Sequence, residues 1–177
     1  FRVWINLSAS ELANPALVDQ FAARGSAQRS LGVEIRQCAA TRELDATLPT
    51  LAALKRAGVS IAIDDFGSGR WPVSELKRLP LDLVKLDRSF TAGLPGEGFD
   101  REIVDAVLGL GVRFGFATLA KGIETIDQAR CLRSLGCDFG QGYLLGHPMP
   151  LGELSTLLRT RPTSLTRRTE RPYALAG

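Results

Sequence analysis

The stretch Ser60–Gly69, SIAIDDFGSG, places an apolar, β-branched run directly before two adjacent aspartates and a glycine-containing turn. A short apolar run that ends in a turn is typical of a buried β-strand. In a regular strand the side chains of Asp64 and Asp65 would point to opposite faces. Gly67 and Gly69 give the backbone the freedom to bend there. We therefore expect both carboxylates to reach one site, with a simple helix cap by the same pair as the alternative.

Five other stretches have the same apolar, β-branched character, and segments of helical period separate them. Together with Ser60–Asp64, the predicted strands are Phe1–Asn6, Leu31–Arg36, Leu83–Asp87, Gly115–Leu119 and Asp138–Gln141. The predicted helices are Ala16–Arg24, Leu44–Ala57 and Ile126–Leu135. The last helix has Thr125 as its N-cap and Gly136 as the glycine beyond its end. Repeated strand and helix units imply a parallel sheet with crossover helices.

Polar side chains stand at or just beyond the end of every predicted strand. They are Asn6, Glu34, Asp64, Asp65, Lys85, Asp87, Lys121, Glu124 and Gln141. In a parallel barrel the chemistry gathers at this carboxyl rim. The predicted fold class is α/β, a (β/α)8 TIM-type barrel truncated at its N-terminus, with about six βα units present, because a complete barrel has roughly 250 residues. An open doubly wound sheet is the alternative, but the sequence contains neither GxGxxG nor GxxxxGK[ST].

Oxygen donors dominate this predicted rim. Four that could hold a cation together are Asn6, Glu34, Asp64 and Asp65. Carboxylate and amide oxygens prefer hard cations such as Mg²⁺ or Mn²⁺. Imidazole or thiolate ligation is not expected, because His147 is the only histidine and the three cysteines lack metal-ligand spacing. The sequence therefore predicts a Mg²⁺ or Mn²⁺ site at the rim.

The formal net charge of +3 arises at the end of the chain. Residues 159–177 hold five of the 22 basic residues but only one of the 19 acids. We predict a domain over 1–158 and a basic, disordered tail over 159–177, with a tail that contacts phosphates or lipid headgroups as the alternative. No DNA or RNA partner is expected.

The cysteines and the hydropathy of the sequence bear on its location. Cys38, Cys131 and Cys137 fit reduced thiols in the cytoplasm. No apolar run is long enough for a membrane span.

Six blocks of sequence carry a likeness to a known family. They are INLSASEL at Ile5–Leu12, VEIRQ at Val33–Gln37, IAIDDFGSG at Ile61–Gly69, LPLDLVKLDRSF at Leu79–Phe90, AKGIET at Ala120–Thr125 and LGCDFGQGYLLGHPMP at Leu135–Pro150. In order and spacing, these blocks resemble the signature motifs of the EAL family, which binds and hydrolyses cyclic di-GMP. The likeness covers nearly all of 1–150 and implies the C-terminal two-thirds of an EAL domain.

The resemblance implies a barrel that binds cyclic di-GMP across its rim and opens one phosphodiester with two divalent cations, Mg²⁺ or Mn²⁺. The implied roles are metal binding by Asn6, Glu34, Asp64 and Asp65, catalysis by Lys85 and Glu124, and substrate binding by Asp87, Arg88 and Gln141. Lys85 would orient or polarise the attacking water and the phosphate. The two cations would stabilise the attacking and the leaving oxygens of an in-line displacement.

The sequence departs from the family pattern at places that matter for catalysis. The Glu-Ala-Leu motif lies before the segment that corresponds to Phe1. Lys121 replaces a family glutamate that contributes to the second cation, and Arg36 and Gln37 replace Thr and Glu. An ammonium group beside a cation site would repel the second metal, so we predict a degenerate site whose hydrolysis is lost or strongly impaired. Binding need not be lost, because a lysine near the phosphate supplies positive charge.

Three functions follow from these observations. The first is a cyclic di-GMP-binding receptor or regulatory module, the second an active metal-dependent phosphodiesterase in the full-length protein, and the third a protein-interaction scaffold derived from an inactive enzyme. The expected protein partners are a GGDEF or sensory domain in the same polypeptide and a second copy in a homodimer. The expected location is cytoplasmic. That Lys121 reflects neutral drift in a domain that binds nothing is the alternative to the first function.

Overall fold

A parallel β-sheet runs through the chain in the order of the sequence. The computed structural model describes residues 2–25, 30–36, 44–68, 73–96, 98–160 and 174–175. Its strands are β1 Val3–Leu7, β2 Leu31–Arg36, β3 Ser60–Phe66, β4 Leu83–Leu86, β5 Ala117–Ala120, β6 Phe139–Gly140 and β7 Ala174–Leu175. Each strand pairs in parallel with the next strand along the chain. The predicted α/β class with a parallel sheet is confirmed, and β1 to β6 match the predicted strands to within two residues at each end.

Helices lie between successive strands. Those in the described ranges are α1 Ala9–Leu12, α2 Ala16–Ala22, α3 Leu44–Arg56, α4 Val73–Leu76, α5 Arg88–Ala92, α6 Phe99–Phe114, α7 Ile126–Ser134 and α8 Leu151–Thr160. The three predicted helices are confirmed as α2, α3 and α7. Thr125 caps α7 by accepting the backbone N–H of Gln128, and Gly136 follows the helix with a φ of 87°. No such signal precedes α6 in the sequence, because Gly98 at its N-cap has no side chain to offer.

The register of β3 against β4 shifts at the double aspartate, as in a β-bulge. Asp65 has a φ of 54°, a left-handed conformation that few residues other than glycine, asparagine and aspartate adopt readily. The bend predicted from the sequence is therefore confirmed, but it lies at Asp65 itself, with Gly67 following at a φ of 99°. The next helix that the structure describes is α4 at Val73–Leu76, and the described partner of both carboxylates is Lys121 rather than the start of a helix.

The two faces of the sheet pack against different neighbours. Side chains alternate between the faces along each strand, and one face packs Ile35, Ile63 and Leu86 against helical side chains such as Leu54 and Leu132 in the main core. The opposite face holds a smaller cluster, Ala62, Leu83 and Leu119, with Trp4, Ala117 and Phe139 packed against it. Asn6, Glu34, Asp64 and Lys85 occupy the positions that alternation assigns to this second face. The second face therefore carries the predicted site.

Aspartates anchor two strands at the opposite, amino-terminal edge of the sheet. Asp82 accepts the backbone N–H of Ile61 at 2.9 Å and pairs with Lys55. Asp138 likewise accepts the backbone N–H and the hydroxyl of Thr118, at 2.9 and 3.0 Å. Each carboxylate satisfies a donor at the beginning of a strand, so β3 and β5 are fixed at the edge away from the predicted site.

The described cysteines are buried, as expected for small apolar side chains. Cys131 and Cys137 form no disulfide, and burial raises the pKa of the Cys137 thiol to about 11. Cys38 lies outside the described residues.

The predicted boundary between domain and tail falls within α8, which continues to Thr160. Ala174–Leu175 then pairs with β6 as the last described strand. The remainder of the predicted tail, 161–173 and 176–177, lies outside the described residues, so its disorder stays a prediction. Of the helices in the described ranges, none has the length and apolar character needed to cross a bilayer.

Candidate functional site

A buried ion pair lies on the second face of the sheet, near the carboxyl ends of its strands. Asn6 of β1 lies beside Glu34 of β2 in the strand register. Glu34 pairs with Lys85 of β4, and their side chains are only 8% and 7% exposed. The Lys85 ammonium also lies 5.8 Å from the centre of the Trp4 ring, within the range of a cation–π contact. Two predicted site residues from different strands are therefore in direct contact inside the fold.

Lys121, directly after β5, contacts both residues of the double aspartate. Its Nζ lies 2.9 and 3.2 Å from the two carboxylate oxygens of Asp64 and 2.6 Å from Oδ1 of Asp65. Burial by itself lowers the pKa of Lys121, but hydrogen bonds and charges from Asp65 and Asp64 outweigh burial, and the net pKa is raised. Lys121 is therefore a charged group held by two carboxylates.

Asp87 and Arg88 lie where β4 passes into α5. The Asp87 carboxylate accepts the backbone N–H of Ser89 at 2.9 Å and its hydroxyl at 2.6 Å, and so caps the helix. Partial burial raises the pKa of Asp87, but the Ser89 hydrogen bonds and the Lys121 charge lower it by more, so the net shift is downward. Arg88 is exposed, and Gly122 lies so near it that an added Cβ would stand 2.7 Å from the Arg88 Cβ. The structure thus places Asp87 within reach of the Lys121 charge.

Glu124 and Gln141 follow β5 and β6, and both are exposed. The Gln141 N–H donates to the carbonyl of Ala120 at 2.9 Å, and its own carbonyl accepts the N–H of Ile123 at 3.0 Å. Gly142 lies so close to the Ile123 backbone that an added Cβ would stand 2.2 Å from its carbonyl oxygen. Backbone contacts therefore join the segment after β5 to the end of β6.

Gln128 fixes the backbone of Glu124, a role that was not predicted from the sequence. Its buried amide oxygen accepts the N–H groups of Glu124 and Thr125 at 2.8 and 3.0 Å. Its amide nitrogen donates to the carbonyl of Thr91 in α5 at 3.2 Å. The signal for this role is the Thr-x-x-Gln spacing of a capping box, which the structure forms between Thr125 and Gln128.

The carboxylates of the site are already paired with ammonium groups. Glu34 is bound to Lys85, and Asp64 and Asp65 are bound to Lys121. In the part of the chain that the structure describes, no three Asp, Glu, His or Cys side chains are grouped so that they could hold a metal ion. The side chains in this arrangement do not fit a two-cation centre. The metal-binding roles of the individual residues stay predictions.

Comparison with known proteins identifies the family. The sequence profile of the EAL domain family matches residues 1–148. The chain belongs to the EAL domain family. A curated relative of this EAL domain, the cyclic di-GMP phosphodiesterase NbdA of Pseudomonas aeruginosa, is 38% identical over 162 residues, which cover 89% of this chain and 21% of that protein. The chain therefore spans about a fifth of the length of this relative.

Solved EAL structures share the fold of this chain. One is the phosphodiesterase MucR of Pseudomonas aeruginosa in complex with cyclic di-GMP, with a TM-score of 0.81 and 38% identity, covering 87% of this chain and 70% of that chain. MucR is a bifunctional diguanylate cyclase and cyclic di-GMP phosphodiesterase. Another is BlrP1 of Klebsiella pneumoniae in a complex with manganese and cyclic di-GMP, with a TM-score of 0.77 and 29% identity, covering 83% of this chain and 39% of that chain. The predicted TIM-type fold of this EAL domain is thus confirmed.

Proposed function

We propose that this EAL domain binds cyclic di-GMP at the carboxyl ends of its strands and hydrolyses it weakly or not at all. The observation that carries the proposal is the contact of Lys121 with both Asp64 and Asp65. By the family likeness, these aspartates would reach the second cation and position 121 would hold a glutamate. A receptor or regulatory module is the function that fits a nucleotide site with a lysine at this position.

The balance of charge at the site supports binding of cyclic di-GMP without both divalent cations. Glu34, Asp64 and Asp65 carry three negative charges, and Lys85 and Lys121 carry two positive charges. One net negative charge remains, whereas a glutamate at position 121 would leave three. Two unit charges about 4 Å apart interact by about 4 kcal/mol at an effective dielectric constant near 20. The difference of two charges between lysine and glutamate at position 121 should therefore strongly affect the binding free energy of a ligand whose two phosphodiesters are anionic.

The same contact would account for the proposed loss of hydrolysis. Two divalent cations stabilise the attacking and leaving oxygens when phosphodiesters are cleaved in this way. The Lys121 ammonium would repel a cation that needs the oxygens of Asp64 and Asp65. We therefore expect turnover to fall by orders of magnitude while Glu34 and Lys85 remain in place.

Calorimetric titration of the intact protein with cyclic di-GMP, with and without Mg²⁺ or Mn²⁺, tests the proposal. Saturable binding without metal and without linear product is the expected result. Formation of the linear dinucleotide by the unmodified protein would establish the second function, an active metal-dependent phosphodiesterase, which the retained Asn6, Glu34, Asp64 and Lys85 favour. Absence of any binding would leave the third function, a protein-interaction scaffold.

Replacement of the lysine tests the cause of the defect. We expect Lys121→Glu to raise hydrolysis of cyclic di-GMP by the intact protein at least about 100-fold in Mn²⁺, the scale of one electrostatic contact in an active site. Lys55→Glu is the matched control, because Lys55 also pairs with an aspartate but at the other edge of the sheet. If Lys121→Glu gives no more product than Lys55→Glu, the lysine is not what limits hydrolysis.

We extend the proposal to the neighbouring domains, the oligomeric state and the location of the protein. A GGDEF or sensory domain in the same polypeptide would connect the nucleotide site to a signal, and the bifunctional relative MucR supports this arrangement. A homodimer and a cytoplasmic location belong to the same proposal. Size-exclusion chromatography with light scattering, with and without cyclic di-GMP, measures the oligomeric state.

A further inference from the structure

The double aspartate lacks a vacant position for a metal ion, because an ammonium group already bridges it. We infer that Lys121 is a tethered cation that takes the place of a divalent ion between Asp64 and Asp65, so that this pair of aspartates binds no metal. The inference deepens the proposed function, since it names what neutralises the site, but it concerns the protein without nucleotide. It can therefore be tested separately.

The contacts of Lys121 use all of its hydrogen-bonding capacity. A lysine ammonium has three N–H donors, and three carboxylate oxygens of Asp64 and Asp65 lie 2.6 to 3.2 Å from its Nζ. A Mg²⁺ ion would need such oxygens at about 2.0–2.1 Å. It cannot approach them at that distance while the ammonium stands over the same oxygens.

The backbone holds both partners of this contact in position. The N–H of Lys121 donates to the carbonyl of Leu86 at 3.3 Å, which ties the lysine to the end of β4. Asp65 is held at the bulge, where its carbonyl accepts the N–H and the hydroxyl of Ser68 at 3.2 and 2.8 Å. Two adjacent carboxylates turned toward one side of the strand repel each other, and a positive charge between them offsets that repulsion. The ammonium is therefore the counter-ion that this backbone geometry requires.

The second lysine of the site shows why Lys121 in particular resembles a metal ion. Lys85 pairs with one carboxylate, that of Glu34, and is almost fully buried. Lys121 instead bridges two carboxylates, as a divalent ion does, and its side chain is 26% exposed. Exposure of this kind leaves the position open to an ion from solvent once the lysine is removed. Replacing Lys121 should therefore convert an ion-paired cluster into a metal site.

Electron paramagnetic resonance of free Mn²⁺ measures the number of ions bound by the intact protein in the absence of nucleotide. We expect Lys121→Glu to bind about one Mn²⁺ per chain more than the unmodified protein, with an affinity at that site at least about tenfold higher. Lys121→Met, which removes the charge without adding a ligand, should also bind the additional ion, but more weakly. Lys121→Arg keeps the charge and should bind as few ions as the unmodified protein.

Lys55→Met serves as the control, because it breaks a lysine–aspartate pair at the opposite edge of the sheet and should not alter the Mn²⁺ count. The inference is overturned if the unmodified protein binds as many Mn²⁺ ions, with the same affinity, as Lys121→Glu.

For the case in which a variant does not fold, the ¹⁵N signal of the Lys121 ammonium in the unmodified protein provides the test. We expect its chemical shift to stay constant on addition of Mg²⁺, and a saturable shift would contradict the inference. Failure to bind cyclic di-GMP would refute the proposed function. It would not change the Mn²⁺ counts or the ¹⁵N chemical shift that we expect in the absence of nucleotide.

Discussion

At the scale of single residues, Lys85 and Lys121 have the same side chain but different burial and different partners. Lys85 meets Glu34 inside the sheet, whereas Lys121 meets Asp64 and Asp65 at a position partly open to water. Removing one partner from a buried pair leaves an uncompensated charge in a medium of low dielectric constant. Ion pairs near water are screened, and their individual contributions are small. The two lysines should therefore contribute very differently to stability.

Lys85→Met should lower the free energy of unfolding by about 3–5 kcal/mol, because it leaves the Glu34 carboxylate buried without a partner. The measurement is urea denaturation followed by circular dichroism. The double variant Lys85→Met with Glu34→Gln should recover part of this loss, because the buried charge is then gone. Lys55→Met, in a pair whose side chains are 38% and 32% exposed, should cost no more than about 1 kcal/mol. Equal losses for Lys85→Met and Lys55→Met would refute this account.

Strand periodicity predicts which predicted site residues share a face of the sheet, but not which side chains contact one another. The alternation of side chains along a strand places Asn6, Glu34 and Lys85 on one face, and this can be deduced from strand periodicity. The pairing of Lys85 with Glu34 joins residues 51 positions apart, across an intervening strand. No local pattern encodes such a contact. Lys121 departs from the family pattern in the sequence itself, but its bridging of two carboxylates depends on the bulge in β3.

At the scale of elements, the bulge in β3 changes the direction of adjacent side chains along the strand. A regular strand would send Asp64 and Asp65 to opposite faces, and the left-handed backbone at Asp65 brings them to the same lysine. Asparagine adopts this conformation about as readily as aspartate, whereas a β-branched residue is strained there. The identity of residue 65 therefore matters for the backbone as well as for the charge.

Asp65→Val should destabilise the protein by about 1–2 kcal/mol more than Asp65→Asn, because valine pays the steric cost of a left-handed backbone. Both variants remove the same negative charge, so the difference between them isolates the backbone effect. Urea denaturation of the two variants side by side gives this difference. Indistinguishable midpoints and slopes would show that the backbone at residue 65 relaxes without cost.

A helix that is long enough to show a period and has recognisable ends could be predicted, whereas very short helices could not, even where a cap is present, as at Asp87 before α5. Thr125 and Gly136 bound α7 with a cap at one end and a left-handed glycine at the other. The helix α6 is longer, but Gly98 before it offers no side-chain cap, and Gly109 and Gly111 within it weaken a helical pattern. The helices α1, α4 and α5 are too short to show any period.

At the scale of the whole molecule, the core lies between the sheet and the helices that cover one of its faces. Leu132 of α7 is fully buried in this core. Leu151 at the start of α8 is 78% exposed, and α8 has partly buried side chains but no fully buried one. The alternation of strands and helices was sufficient to predict this arrangement, because a parallel sheet must be covered by its crossover helices. The strand Ala174–Leu175 was not predicted, because two residues carry no periodic signal.

Leu132→Ala should lower the free energy of unfolding by about 2–5 kcal/mol, the cost of a cavity in a packed core. Leu151→Ala removes the same atoms from an exposed position and should change stability by no more than about 0.5 kcal/mol. Thermal denaturation followed by circular dichroism compares the two variants. A loss for Leu151→Ala as large as that for Leu132→Ala would mean that α8 packs against something beyond the contacts described.

The strand order has a consequence for the growing chain on the ribosome. Because each strand pairs with its predecessor in the sequence, the sheet can form in the order in which the polypeptide emerges. Asp64 is made 57 residues before Lys121, so at synthesis rates of about 5–20 residues per second the aspartates precede their lysine by roughly 3–11 seconds. During that interval the nascent sheet is more negative at its carboxyl edge than the finished domain. Emergence of the segment around Lys121 from the ribosome ends this state.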